Sequence, residues 1–282
     1  MRARAGALAA ALLLMAGACS PNPPPRPPGP RSGSYGSGVR LPADPPSPAP
    51  EATTAADTPE TGDDRARVDD LDSVGQAARP LLRPGRFSQI VVEMDWVAGR
   101  EPTAKAKEIL AARLKEVSHK SVRFAGGNAI NPGGPWTIDD IATLSLNRNT
   151  HSIEPNLSLY IAFLDGRADE NKFALGRVVA STVIAIFPDV IKNFTPPNVD
   201  IADVQAGSMV HELGHLLGLV NLIYDSPRPH ADPKNPQHSK NPKSVMYHAY
   251  EQSFGASVFG APPNQFDADD LADLADLAAG RL

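Results

Sequence analysis

The sequence predicts an α+β domain with a twisted mixed sheet, an active-site helix and a C-terminal helix, formed by residues 74–282. Runs rich in valine and isoleucine alternate there with segments whose apolar residues recur at helical spacing. A segment of about 200 residues is long enough to bury one hydrophobic core. We therefore expect one folded domain that follows a long N-terminal segment of different composition.

The predicted elements follow one another in the order strand, helix, strand, strand, strand, active-site helix. The second strand should end at Gly126 and Gly127, because glycine pairs commonly interrupt strands. In the C-terminal helix, Leu271, Leu274 and Leu277 form the apolar stripe. The predicted strands span 87–97, 122–124, 157–164 and 177–187, and the predicted helices outside the active site span 103–117, 137–146 and 266–279.

The first residues are typical of an export signal. Arg2 and Arg4 precede an apolar run, residues 5–15, which is too short to span a membrane. Small residues then lead to Cys19, which resembles the lipidated first residue of mature bacterial lipoproteins, although Ala16 replaces the usual leucine. We predict a signal peptide at 1–18 and membrane attachment through lipidated Cys19, with plain cleavage and secretion as the alternative.

The next segment, residues 19–73, has the composition of a disordered linker. It contains 13 of the 29 prolines, mixed with glycine, serine, alanine and acidic residues. Such a composition cannot bury enough apolar surface to fold. We expect an extended tether rather than a proline-rich ligand for a recognition domain.

Charge and cysteine content exclude several classes of function. The net charge is −5 and no basic run occurs, so nucleic acid is not an expected partner. The chain also has no phosphate-binding glycine loop and no G-x-S-x-G nucleophile pattern. With Cys19 as the single cysteine, no intramolecular disulfide can form.

The chemistry is concentrated in residues 208–218, SMVHELGHLLG. His211 and His215 are four residues apart, so on a helix both imidazoles can reach one metal ion. Glu212 lies about a quarter turn away and can take a proton from a zinc-bound water without binding the metal itself. This pattern is typical of zinc hydrolases. A core helix that contains two histidines by chance is the alternative.

The residues around this pattern support a half-buried helix. Asn198 and Asp200 are candidate N-caps, and apolar residues recur at helical spacing between them and Leu217. Gly218 follows the second histidine by three residues, where a left-handed C-cap can end the helix.

The motif from His211 to Gly218, together with residues 244–247, SVMY, resembles the metzincin clan of zinc metallopeptidases. The resemblance implies a zincin-like fold in which Met246 lies in a turn beneath the zinc. This chain departs from the clan at Asn221, where metzincins have a third ligand, His or Asp. A neutral amide oxygen is a poor zinc donor.

Within the clan, the segment after the motif resembles that of bacterial lipoprotein or membrane metalloproteases. That subgroup has Asn at the position of Asn221 and histidines at the positions of His230 and His238. It also has a cysteine pair at the positions of Ser239 and Ser244, which this chain lacks. The loop must therefore be held by packing, hydrogen bonds or the metal itself.

The third zinc ligand has several candidates. We favour His230, followed by His238 and then Asn221. Asp225 and Asp232 are oxygen alternatives, and Asp232 could instead orient a ligating imidazole. A thermolysin-like glutamate on a later helix would have to be Glu251, whose flanking sequence gives no support.

Two further features concern the substrate. In the fold that the chain resembles, the strand before the active-site helix lines the cleft, and we assign that role to residues 178–186, with an internal strand as the alternative. Tyr247 and Tyr250 are candidate carbonyl stabilisers or extra metal ligands, although packing is the ordinary role of such tyrosines.

The sequence as a whole predicts an exported, lipid-anchored zinc endopeptidase, in which residues 74–282 cleave extracytoplasmic proteins or peptides. We expect a monomer that acts on the outer face of the cytoplasmic membrane or in the periplasm. Two alternatives stay open: a non-catalytic exported module with a degenerate metal site, and a zinc hydrolase that acts on a cell-wall amide.

Overall fold

The structure is a computed structural model that describes residues 73–250 and 263–282. The predicted signal peptide, Cys19, the linker up to residue 72 and Glu251 lie outside the described residues. In the described part, no helix combines the length and apolar character needed to cross a membrane.

The described residues form six α-helices, seven β-strands and a short 3-10 helix. The helices are α1 (Ala78–Leu82), α2 (Ala104–Ser118), α3 (Ile138–Leu146), α4 (Pro188–Phe194), α5 (Ile201–Leu216) and α6 (Ala268–Ala278). The strands are β1 (Gln89–Val97), β2 (Ser121–Ile130), β3 (Asn156–Phe163), β4 (Gly176–Ala180), β5 (Val183–Ile186), β6 (Ala231–Asp232) and β7 (Asn235–Ser239), and the 3-10 helix is His248–Tyr250.

A five-stranded mixed sheet with the order β2-β1-β3-β5-β4 forms the centre of the domain. The first four strands in this order are parallel, whereas β4 runs antiparallel to β5. Helix α5 packs against α2, β4 and β5, and much of the hydrophobic core lies between these elements. The predicted mixed sheet, motif-bearing helix and C-terminal helix are confirmed.

The predicted strand at residues 177–187 is two strands. β4 and β5 form an antiparallel hairpin that turns at Ser181 and Thr182, with Val178 opposite Ile184. The turn contains no glycine, proline or asparagine, so its residues carry no local signal for a hairpin. Of the segment expected to line the cleft, only β4 lies at the sheet edge, and β5 is internal.

The predicted end of the second strand at Gly126 and Gly127 is wrong, because β2 continues to Ile130. Both glycines have left-handed φ angles, +92° and +95°, and the register between β1 and β2 shifts there. Asp95 Oδ1 accepts hydrogen bonds from the backbone N–H groups of Gly127 and Asn128, at 3.1 and 2.9 Å. The glycines therefore form a bulge. Its backbone N–H groups donate to a β1 side chain, and the strand continues beyond it.

Helix α5 begins and ends at the residues that the sequence indicated. Asp200 is the N-cap, and its Oδ1 accepts a hydrogen bond from Ala202 N–H at 2.9 Å. Gly218 has a φ angle of +80°, and its N–H donates to His215 O at 2.9 Å. The chain turns directly after the second histidine of the motif because only glycine adopts this conformation readily.

Candidate metal centre

Helix α5 brings the two motif histidines together. The Nε2 atoms of His211 and His215 are 3.1 Å apart, and the ring centroids are separated by 4.8 Å. His211 is fully buried, whereas His215 is partly exposed. The spacing of four residues therefore places two nitrogen donors at one point on the helix surface.

The third imidazole at this point belongs to His238 on β7. Its ring stacks on His211 with centroids 5.3 Å apart and lies 5.0 Å from the ring of His215. One ligand atom from each of the three histidines lies within 4.8 Å of the others, which is close enough to hold one metal ion. His238 is buried, with 6% of its surface exposed.

Backbone carbonyls determine which ring nitrogen faces the centre. His211 Nδ1 lies 2.6 Å from Val245 O, and His238 Nδ1 lies 2.9 Å from Pro236 O. A carbonyl oxygen can only accept, so each Nδ1 carries the proton of the neutral imidazole and donates it. Nε2 is then left with the lone pair that a metal requires, so this donor set fits a borderline divalent cation such as Zn²⁺.

The structure differs from the expected order of third-ligand candidates. His230 faces α6, where its Nε2 lies 3.1 Å from Asp273 Oδ2. Hairpin β6–β7 begins just after His230 and has His238 near its end, so the two imidazoles have different surroundings. The imidazole that lies close to His211 and His215 is therefore that of His238, whereas His230 lies beside the carboxylates of α6.

The other candidates have local roles in the loop. Asn221 is exposed, has a φ angle of +62°, and its Oδ1 accepts a hydrogen bond from Ser226 N–H at 3.0 Å. Asparagine tolerates this left-handed conformation, so its place in the motif has a backbone explanation. Asp225 is exposed, and the Asp232 carboxylate accepts from Lys234 N–H and the Asn235 side chain at 2.9 and 2.7 Å.

Met246 forms a buried floor beneath the helix. A Cβ atom added at Gly214 would collide with Met246 Sδ, which explains why the residue before His215 has no side chain. Ser239 N–H donates to Met246 O at 2.8 Å, and Ser244 Oγ donates to Asp270 Oδ2 at 3.0 Å. Hydrogen bonds from these two serines thus hold the loop, which has no disulfide.

The carboxylate of Glu212 lies against the edge strand β4. Glu212 is 2% exposed, and a Cβ atom added at Gly176 would lie 2.8 Å from its Cγ and 3.1 Å from its Oε1. A side chain at residue 176 would therefore displace the carboxylate. Sequence reasoning missed Gly176, since a glycine at the start of a strand has no local signal for this role.

The tyrosines after Met246 are packed together. Tyr250 is 6% exposed, and its hydroxyl donates to Pro242 O at 3.0 Å. Burial raises the pKa of this hydroxyl, and Tyr247 adds to the effect. The Tyr247 ring lies 5.9 Å from Tyr250 and 4.6 Å from His248, centroid to centroid. Tyr250 therefore acts as a packing residue.

Comparisons with known proteins find similarity only at the level of solved structures. No protein-family model and no curated protein matches the chain. An archaemetzincin from Methanopyrus kandleri is 15% identical with a TM-score of 0.48, and the match covers 69% of this chain and 98% of that one.

Two further solved structures have lower TM-scores. An archaemetzincin from Archaeoglobus fulgidus, complexed with malonate, is 15% identical with a TM-score of 0.39, and the match covers 66% of this chain and 99% of that one. A zinc-dependent peptidase from Methanocorpusculum labreanum is 14% identical with a TM-score of 0.44, and the match covers 65% and 99%. At these scores the chemistry of the present chain rests on its own three imidazoles and one carboxylate.

Proposed function

We propose that the domain is a zinc-dependent peptidase in which His211, His215 and His238 hold Zn²⁺. The observation that carries this proposal is the convergence of one nitrogen from each imidazole within 4.8 Å, next to the buried Glu212 on the same helix. Three histidines are an established ligand set for catalytic zinc, which keeps a further coordination position open. The partial exposure of His215 gives the centre a side that faces outward.

Zn²⁺ bound there would supply a Lewis acid that polarises the substrate carbonyl and makes a water molecule more acidic. Glu212 is the general base that accepts a proton and the general acid that returns it to the leaving amine. Its burial against Gly176 limits the positions that the carboxylate can adopt. Met246 supports the histidines from below through its contact with Gly214 and is not a ligand.

An extended peptide is the substrate shape that suits the surroundings of Glu212. Strand β4 is at the edge of the central sheet and pairs with β5 alone among the described strands. A peptide can add to such an edge through main-chain hydrogen bonds, which would bring a scissile carbonyl past Gly176 and Glu212. This arrangement requires chain on both sides of the cleaved bond, and we therefore propose endopeptidase activity.

The N-terminal sequence supports an extracytoplasmic location. We propose that residues 1–18 are removed, that Cys19 is lipidated, and that the proline-rich segment tethers the peptidase to the outer face of the cytoplasmic membrane or within the periplasm. Changing Cys19 to Ala should release the protein from the membrane fraction with its peptidase activity intact. Continued membrane association of this variant would contradict the anchor.

The conservative substitution Glu212→Gln tests the proposed mechanism. The variant should keep its zinc and lose peptide hydrolysis, because glutamine has nearly the same shape but cannot take a proton. Glu108→Gln, the same change at an exposed position of α2, is the matched control and should hydrolyse peptides normally. Hydrolysis by Glu212→Gln at the rate of the control would refute the mechanism.

Metal analysis and substrate assays distinguish the two alternative functions from the proposed peptidase. A non-catalytic module would bind zinc weakly or not at all at His211, His215 and His238. This alternative assumed the neutral amide of Asn221 in the ligand set, and the position of His238 beside the other two histidines supports an imidazole there instead. A cell-wall amidase would release fragments from peptidoglycan and leave a casein or peptide-library substrate intact. Metal analysis and the two substrate assays together separate the three functions.

A further inference from the structure

A second cluster of side chains with metal-ligating atoms lies between the loop that contains His238 and helix α6. It consists of His230, Asp267 and Asp270, and one ligand atom from each lies within 4.8 Å of the others. The side chains of His230 and Asp270 are 2% and 0% exposed. Asp267 is the N-cap of α6 and Asp270 lies in its first turn, so the cluster joins the loop to the C-terminal helix.

Ordinary helix capping explains only part of this cluster. Asp267 Oδ1 accepts from the N–H groups of Asp269 and Asp270, both at 3.0 Å, and Asp270 Oδ2 accepts from Ser244 Oγ at 3.0 Å and Asp267 N–H at 3.3 Å. The other Asp270 oxygen, Oδ1, is buried without a hydrogen-bond partner. Capping therefore does not account for the carboxylate oxygen that faces His230.

His230 also lacks hydrogen-bond partners. Both of its ring nitrogens are buried and neither makes a hydrogen bond. Nδ1 lies 3.6 Å from Asp270 Oδ1, which is too long for a hydrogen bond, and Nε2 lies 3.1 Å from Asp273 Oδ2 without hydrogen-bond geometry. Buried polar atoms normally have hydrogen-bond partners, so these three atoms, which lack them, require an explanation.

A proton shared by His230 and the carboxylates is a weaker explanation than a cation. Asp273 already accepts from Tyr224 at 3.0 Å, from Ser226 at 2.8 Å and from Arg228, so its charge has other partners. A cation between Nδ1 and Oδ1 would satisfy both atoms at the separation that the structure shows.

We propose that His230, Asp267 and Asp270 bind a second divalent cation, distinct from that of the three histidines. One imidazole nitrogen with two carboxylates is a donor set for Zn²⁺ or Mn²⁺, whereas Ca²⁺ and Mg²⁺ prefer oxygen ligands alone.

The cation would tie the ends of hairpin β6–β7 to α6. Lys240 N–H donates to His230 O at 2.9 Å, so the position of His230 is coupled to the strand that contains His238. Ser244 links the same α6 carboxylate to the turn that contains Met246. A cation held between a loop histidine and the first turn of a helix would stabilise the fold by joining the two elements.

Metal stoichiometry of the full chain tests the proposal. After saturation with Zn²⁺ and gel filtration, the wild-type protein should contain two equivalents of zinc by elemental analysis. His215→Ala should contain one, Asp270→Asn should contain one, and the double variant should contain none. Asp269→Asn, which removes an exposed charge from the same turn of α6, is the matched control and should contain two.

Two results would overturn the second site. One is a single equivalent in the wild-type protein with none in His215→Ala, which does not depend on whether Asp270→Asn folds. The other is two equivalents in a folded Asp270→Asn protein, as judged by circular dichroism. Loss of zinc from Asp270→Asn together with no loss from His215→Ala would support the second site and contradict the zinc centre of the proposed function, so the two proposals can fail separately.

Discussion

The histidine centre on α5 and the His230 cluster on α6 share one hairpin but differ in their donor atoms. His238 turns toward α5, where three imidazoles meet beside the buried Glu212. His230 turns toward α6, where its neighbours are the carboxylates of Asp267 and Asp270. Three imidazoles beside a proton acceptor suit a catalytic zinc centre, whereas an imidazole beside carboxylates of a helix N-terminus suits a site that joins the loop to that helix. A histidine in this loop therefore cannot be given a role from its residue type alone.

Replacing His238 should have the largest effect, and it tests the histidine centre on α5. His238→Ala removes one of three nitrogen donors, so we expect peptide hydrolysis to fall about 1,000-fold or more. Zinc at the second cluster should stay bound, giving one equivalent by elemental analysis. His151→Ala, at an exposed position, is the control. Unchanged hydrolysis by His238→Ala would break the distinction between the two loop histidines.

Replacing Asp273 should mainly affect the stability of the region around the His230 cluster on α6. Asp273→Asn removes a buried charge that accepts from Tyr224, Ser226 and Arg228, and we expect a loss of about 3 kcal/mol in the free energy of unfolding. Denaturant titration measures this loss. At a temperature where the variant is folded, its hydrolysis rate should fall far less than that of His238→Ala. An equal fall in both rates would mean that the two regions form one functional unit.

Gly176 tests how closely β4 confines Glu212, the proposed general base. A methyl group in Gly176→Ala would approach Glu212 Cγ at 2.8 Å and push the carboxylate from its position. Small displacements of a catalytic group can reduce a rate about 10- to 100-fold, and we expect kcat to fall in this range with zinc content unchanged. In Gly133→Ala the added methyl makes ordinary contact with Trp136 at 3.4 Å, so this control should keep normal kcat.

The N-cap of α3 gives a baseline for purely structural damage. Thr137 accepts from Asp140 N–H at 3.1 Å in a capping box, outside both clusters. Thr137→Ala should reduce the free energy of unfolding by about 1 kcal/mol in a denaturant titration, because it leaves helix N–H groups unsatisfied. Metal content and kcat should match the wild type. A loss of zinc in this variant would show that stability and metal binding cannot be separated in this domain.

Local pattern predicted the four longest of the described helices and the strands β1 and β3. The spacing of apolar residues placed α2, α3, α5, α6, β1 and β3 to within a few residues of their observed ends. The pattern failed where backbone geometry depends on a distant partner. The bulge at Gly126 is stabilised by Asp95, and the β4–β5 turn at Ser181 is fixed by pairing across the hairpin. Neither interaction can be predicted from the neighbouring residues.

Residue spacing alone was enough to predict the pair His211 and His215, the position of Glu212 beside them and the glycine that ends their helix. Helical geometry relates residues four apart in any tertiary context. The approach of His238 to this pair, of His230 to Asp270 and of Gly176 to Glu212 became visible only in the folded chain. These contacts connect separate segments of the chain, and the path of a loop is determined by packing and hydrogen bonds with distant elements rather than by its own residue types.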